Sequence, residues 1–301
     1  MFGKKSKPEP APANRAPSSK ASAPSAPPAM AQAELAPPQL VAEPPPRIEP
    51  QAAPEPQPRV EPPVEQSAMP VFYTDPQPLS STQHAKLKLN MSDASFAAAA
   101  SSVPIVASEF GEVSRTYPIV FATPNATPIA LLGLDKGNVF LKDGAWLNHA
   151  YVPIYVRRYP FILMKSSDGD KYALGIDAAS PRFSEDGEGL ALFDEKGEAS
   201  ELTQQAFAFC QAFQHDADLT EKFVAALRAK DLLIEQRFDA SGPGLSPLSL
   251  TGMEIVDAEK FSNLDESTIV EWHRNGWLAL VHYHLASLSG MNELLNRHSQ
   301  K

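Results

Sequence analysis

The chain has 301 residues and a formal net charge of −10, with 26 Lys or Arg against 36 Asp or Glu. That balance argues against nucleic acid as the main partner, because phosphate recognition needs a basic face. A single cysteine, Cys210, excludes an intramolecular disulfide, and no run approaches the roughly eighteen apolar residues of a spanning helix, which excludes a permease role.

Residues 1–80 hold 21 of the 30 prolines and none of the three tryptophans, Trp146, Trp272 and Trp277. Such a Pro/Ala-rich stretch has too few large apolar side chains to offset the entropy of ordering its backbone, so it predicts a disordered, partly polyproline-like arm. The arm contributes −1 to the net charge and the rest of the chain −9. Its start, MFGKKSKPEP, has no apolar core behind the lysines and does not read as a secretion signal. The expected location is therefore the cytoplasm, with surface association by a signal-less route as the alternative. Residues 81–102 read as a transition, with KLKL a short strand and FAAAA a short helix, and residues 103–301 as a single domain.

From Val103 the pattern changes to strands and tight turns. TYPIVFA, PIALLGL and NVFL are rich in β-branched and aromatic residues. Asp168-Gly169 lies between two strand-like runs, FILMK and KYALGIDA, and predicts a hairpin. Asp186-Gly187 and Lys196-Gly197 mark further turns. Turns this closely spaced predict antiparallel pairing rather than a parallel dinucleotide-binding sheet. Ser200 is placed to cap a helix through LTQQAFAFCQAF, and Asp218 with Glu221 forms a capping-box pattern for a second helix, LTEKFVAALRAK. LIEQRFDA and LTGMEIVD read as strands around a Ser-Gly-Pro loop. Asp257 caps AEKFSNL, and helices follow from Asp265 with breaks near Asn275-Gly276 and Ser289-Gly290. The predicted fold class is α+β, an antiparallel-rich sheet with a helical C-terminal half behind the disordered arm.

The longest nearly apolar run, YVPIYVRRYPFILMK, contains two adjacent arginines. Read as an extended segment from Tyr151 to Met164, it puts Arg157 in a row with Tyr151, Tyr155, Tyr159 and Phe161, where a guanidinium stacks well. Arg158 then interrupts an aliphatic row and, if buried, calls for a carboxylate, with Asp177, Asp194 and Asp257 as candidates. One reading is a structural ion pair beside a stacked surface arginine. The other is an anion pocket lined by tyrosines, taking a carboxylate or phosphate.

Elsewhere, His282 and His284 of VHYH point about 160° apart on a helix and cannot share a metal. His284 lies at the margin of an apolar stripe, where it reads as a hydrogen-bonded core histidine or as a general base. HDAD (His215–Asp218) reads as a helix cap rather than a metal set, and Cys210 as a buried small side chain. DGDK and EDGEG lack the alternating ligands of a calcium loop. No motif calls for a cofactor or a metal.

YPIVFA, the ALLGL and GNVF pair, the Trp146 segment, YVPIYVRRYPFIL, LFDEKGE and GWLALVHYHLASL together resemble the bacterial SapC family over roughly Val103–Leu295. The resemblance implies a protein linked by name to a bacterial surface layer, distinct from the transporter permease that shares the name, and it carries no catalytic residues with it. The expected function is a non-enzymatic binding or structural accessory protein, associated with the surface layer or envelope. Tyr155, Arg157, Arg158, Tyr159 and His284 are its candidate ligand-binding residues, and an anionic ligand or a protein its partner. The competing expectation is a cytoplasmic enzyme or accessory subunit acting on an anionic small molecule or peptide, with His284 and Arg157 as its first residues.

Overall fold

The computed structural model describes residues 69–300 except 136, 166–170 and 243–244. Most of the expected arm, and the Asp168-Gly169 turn, lie outside the described residues. Packed structure begins upstream of residue 81. Tyr73 is buried, and β1 (Pro76–Pro78) pairs with a strand a hundred residues away.

The short strands β2 (Lys88–Leu89) and β3 (Ser102–Pro104) come next, with a 3-10 turn at Ser95–Ala97 where FAAAA predicts a helix. A helical turn, α1 (Phe110–Val113), leads into β4 (Ile119–Ala122) and β5 (Thr127–Leu131). NVFL yields only its last residue to a strand: β6 (Leu141–Lys142) pairs with β7 (Ala145–Trp146) across Asp143-Gly144, both at positive φ.

The arginine run corrects the sequence reading. It is not extended from Tyr151 to Met164 but forms helix α2 (Ile154–Arg158), then strand β8 (Phe161–Lys165). Two prolines explain the difference. Pro153, at φ −56, needs no N–H at the helix start, and Ile154 N–H is satisfied by the Glu109 carboxylate at 2.8 Å. Pro160 keeps the preceding residue out of the helical region, so Tyr159 turns extended (φ −60, ψ 135) and the helix stops.

β8 pairs with β9 (Tyr172–Asp177), as the hairpin signal predicts, and β1 completes an antiparallel sheet in the order β1-β9-β8. β10 (Phe183–Ser184) and β11 (Leu190–Ala191) flank β2. Helix α3 (Glu201–Ala229) is a second correction: one helix of 29 residues, with Asp218 in its middle rather than at a cap. HDADLT contains no Gly or Pro to break it, and the buried positions continue through Thr220, Phe223, Val224 and Leu227 at helical spacing. Ser200 caps it as predicted, accepting from Thr203 N–H.

β12 (Leu233–Gly242) and β13 (Leu245–Val256) form a long hairpin, and the five-stranded sheet runs β12-β13-β4-β5-β3. Asp257 caps α4 (Ala258–Ser262), as predicted. α5 (Glu266–Arg274), α6 (Trp277–Ser287) and α7 (Met291–Ser299) complete the helical C-terminal part, broken at Gly276, φ +75, and at Leu288–Gly290. The fold class is therefore α+β with antiparallel sheets, as the turn spacing predicts.

Two buried clusters organise the domain. The larger joins Phe110, Tyr117, Phe121, Phe223 and Trp272 behind the five-stranded sheet. The smaller joins Leu89, Phe161, Ile176, Leu192 and Cys210.

His284 staples the larger cluster together. It is fully buried; its Nδ1 lies 2.9 Å from the Ile119 carbonyl and its Nε2 accepts from Val256 N–H at 3.0 Å, so the ring ties α6 to β4 and β13. Both contacts require a neutral imidazole protonated on Nδ1. Burial pushes its pKa down to about 4. The unfolded chain takes up this proton first, so the contribution is fully present above the ordinary value near 6.5 and is lost as pH falls towards 4. We predict that wild-type stability declines by roughly 3 kcal/mol from this group over that window. Urea midpoints at pH 7 and pH 4.5 should converge in His284→Asn; an unchanged pH dependence in the variant would remove the explanation.

Candidate functional site

Arg157 and Arg158 are consecutive residues in the last turn of α2, so they point about 100° apart. Arg157 faces solvent. Its Nη2 donates to the Tyr151 hydroxyl at 2.9 Å, and its guanidinium lies 5.5 Å from the Tyr151 ring centre and 5.8 Å from that of Phe209. The buried Glu109 carboxylate stands behind this pair. It accepts from Val106 and Ile154 N–H, and burial raises its pKa.

Arg158 turns inward and is buried. Its guanidinium sits 4.3 Å from the Phe213 ring centre, 4.7 Å from Tyr155 and 5.6 Å from Tyr73. Its Nε has no hydrogen-bond partner. Among the described residues no carboxylate stands at ion-pair distance from it, and the three candidates Asp177, Asp194 and Asp257 are engaged elsewhere, which corrects the ion-pair reading. Asp177 is buried, but its Oδ1 accepts from Thr74 and Asp75 N–H and its Oδ2 from the Tyr159 hydroxyl at 2.8 Å. Asp194 and Asp257 serve a turn and a helix cap.

A third arginine completes the arrangement. Arg182 is buried, donating from Nε to the Asn90 carbonyl at 3.0 Å and from Nη1 to the Tyr159 carbonyl at 2.6 Å. Its guanidinium lies 5.7 Å from the Phe96 ring centre, and Phe96 stacks on Tyr159 at 4.2 Å. Burial lowers its pKa. Among the described residues no carboxylate oxygen comes within 4.0 Å of Arg157, Arg158 or Arg182.

All three arginines line one cavity of about 530 Å³. The turn at Met91–Ala94 and the Gly144–Trp146 segment form one side, joined where Ala94 N–H donates to the Gly144 carbonyl at 2.9 Å. Leu202, Gln205, Ala206 and Phe209 of α3 form another. Trp146 is held by its indole N–H donating to the Tyr117 hydroxyl at 2.8 Å. Among the described residues Asp93 is the one carboxylate lining the cavity, and hydrogen bonds from Ser95 hold its pKa down. Burial pushes the Tyr159 hydroxyl up to about 12.

Of the five candidate residues, the cavity brings together Arg157, Arg158 and Tyr159. Tyr155 packs behind Arg158 and donates to the Val71 carbonyl at 3.1 Å. His284 is not among the lining residues. The sequence reading missed Arg182. In SPRFS it sits in a short piece with no periodicity, and its only local signal is its position between Pro181 and Phe183. Cys210 is buried, and burial pushes its thiol up to about 11. The HDAD aspartates make helix-surface contacts, Asp216 with Ser108 and Asp218 with Gln214. Among the described residues no group of three His, Cys, Asp or Glu is placed to hold a metal, and no helix is long and apolar enough to cross a membrane.

An α+β domain with an arginine-lined cavity on the outer side of α2 thus carries every segment of the resemblance noted in the sequence. A sequence model of the SapC family matches residues 79–294, and the chain belongs to that family. No curated protein and no solved structure matches.

Arg158 and Asp177 should behave in opposite ways on mutation. A buried guanidinium without a carboxylate gives up its hydration for aromatic rings and neutral tyrosine hydroxyls, so Arg158→Met should change stability by less than about 1 kcal/mol or raise it. Asp177→Ala leaves two backbone N–H groups and a tyrosine hydroxyl without their acceptor and should cost about 3 kcal/mol. Urea denaturation of both variants checks the pair; a larger loss in Arg158→Met would make Arg158 a structural residue.

Proposed function

We propose that this SapC-family protein is a binding protein for a small organic anion, held in the arginine-lined cavity. The observation that carries this reading is that buried Arg158 and Arg182 and exposed Arg157 face one cavity, with no carboxylate at ion-pair distance among the described residues. Three arginines against the single Asp93 carboxylate give this concave site an excess of positive charge, which concentrates anions, the more so in a protein whose formal net charge is −10. Binding an oxyanion would supply the partner that Arg158 lacks. Binding is favoured over catalysis because the other ionisable groups at the cavity, Asp93 and Tyr159, are shifted away from the range where a general acid or base works. His284, the residue for which an enzyme reading would call, is occupied by two backbone groups.

An accessory role at the surface layer or envelope is the setting that the family name implies, and the binding reading is compatible with it. Protease treatment of intact cells tests the setting: cleavage of the Pro-rich segment from outside places the protein at the surface, and protection with recovery in the soluble fraction removes that role.

For the cavity, a thermal-shift screen of the full chain against aryl and alkyl carboxylates, phosphates and sulfonates is the direct test. Ligands should stabilise the wild type and bind Arg157→Ala at least tenfold more weakly. That variant folds normally because Arg157 is exposed and makes one side-chain hydrogen bond. If no anion shifts the melting curve, or if Arg157→Ala responds like the wild type, the reading fails.

A further inference from the structure

Away from the cavity, we propose that two copies of this chain join along β12, strand against antiparallel strand, about a two-fold axis at Gln236.

β12 is the end strand in the order β12-β13-β4-β5-β3, and among the described residues no strand pairs with its outer side. An end strand presents a row of N–H and C=O groups to any strand that arrives, and proteins blunt such edges with shortness, proline, lysine or a bulge. The opposite end of the sheet, β3, has three residues and closes on Pro104. β12 has ten, LIEQRFDASG, with no proline and no lysine. Its ladder with β13 is irregular at two places, and both extra residues lie in β13. Gln236 and Phe238 face Met253 and Leu250, and Ala240 and Gly242 face Leu248 and Leu245. Gly252, at φ +75, takes up the first irregularity. The outer strand therefore stays regular, as a strand that accepts another must.

The side chains select the partner. One face of β12 carries Glu235, Arg237 and Asp239, all exposed, so charge runs negative, positive, negative along it. The other face carries Ile234, exposed, and Phe238, half-buried against the larger core cluster. With Gln236 opposite its own counterpart, each Glu235 lies opposite an Arg237 and each Ile234 opposite a Phe238. Directly opposed pairs of these kinds stabilise a sheet, and like charges weaken it. Leu233 opposite Asp239 is the one unmatched pair. A centre at Arg237 sets arginine against arginine and Glu235 against Asp239, and a centre at Glu235 sets glutamate against glutamate. A centre at Phe238 matches Arg237 with Asp239 but leaves Ile234 opposite Gly242. The Gln236 centre matches both faces. Glu235 also lacks a cation within its own chain. Its neighbour across the ladder is Glu254, which Arg228 reaches at 3.6 Å, and among the described residues no cation stands at ion-pair distance from Glu235. Arg237 holds Asp239 at 2.8 Å, and its fork of N–H donors can serve a second carboxylate. The Arg237 carbonyl accepts from the Gln236 side chain at 2.8 Å, a contact that an N–H of the second strand would replace. Edge charge that repels an unmatched strand thus accepts its own copy.

The test is sedimentation velocity of the full chain from micromolar to millimolar concentration. The wild type should pass from monomer to dimer as concentration rises. Glu235→Arg and Arg237→Glu, both at exposed positions, should keep the wild-type urea midpoint and each self-associate at least tenfold more weakly. Mixed in equal amounts, the two variants should dimerise again, because in the mixed pair every glutamate at these positions faces an arginine. Gln236→Cys, oxidised, should link two chains across the axis, since directly opposed strand residues lie within disulfide reach and Cys210 is buried. That variant carries the test should a charge reversal unfold the chain. A wild type that is monomeric throughout overturns the self-pairing and leaves the edge to a strand of another protein. A dimer indifferent to both charge reversals belongs to another face and overturns it too. A dimer that Gln236→Cys fails to link overturns the axis.

Discussion

The carboxylate of Asp177 is buried and takes three hydrogen bonds, from the N–H groups of Thr74 and Asp75 and from the Tyr159 hydroxyl. Those bonds join the segment leading into β1, the end of β9 and the point where α2 gives way to β8. A buried carboxylate must be satisfied in this way or become neutral, and satisfying it here decides where Tyr159 lies. Tyr159 in turn stacks on Phe96, and its carbonyl receives Arg182. The wall of the cavity follows from one acid.

The same bonding leaves Arg158 with aromatic rings and the hydroxyls of Tyr73 and Tyr155. A guanidinium tolerates that environment better than an ammonium, being planar, weakly hydrated and able to stack. The arrangement still forgoes the stabilisation that a carboxylate would add. The hydroxyls of Tyr73 and Tyr155, both close to Arg158, donate to the carbonyls of Phe161 and Val71, and burial raises the pKa of both. A proposed anionic ligand would complete the charge balance from outside the chain. On this view the site trades some folding stability for a preformed cationic cavity.

The large core has a different organising contact. His284 joins α6 to β4 and β13 through two backbone groups, which accounts for a histidine embedded among Val281, Phe121 and the strands around it. Its reading as a hydrogen-bonded core residue was available from the apolar stripe, but full burial and the identity of both partners were not. They come from strands more than 25 and more than 160 positions away.

Local chemistry was legible wherever it is local. Ser200 and Asp257 cap helices because a side-chain oxygen reaches N–H groups two or three residues on. Tight turns set antiparallel pairing, and the apolar runs set the strands. Even the failure at Tyr151–Met164 had a local cause in Pro153 and Pro160, which outweighed the β-rich composition between them. The sequence by itself therefore determined the helix caps at Ser200 and Asp257, the antiparallel α+β class and the presence of two arginines in an apolar setting, but not the helix at Ile154–Arg158 or the continuity of α3. The partners of Asp177, the lack of a carboxylate beside Arg158 among the described residues and the arrival of Arg182 at the cavity were decided by tertiary structure. Each depends on groups distant in the chain meeting in one place, and neither spacing nor composition encodes that meeting.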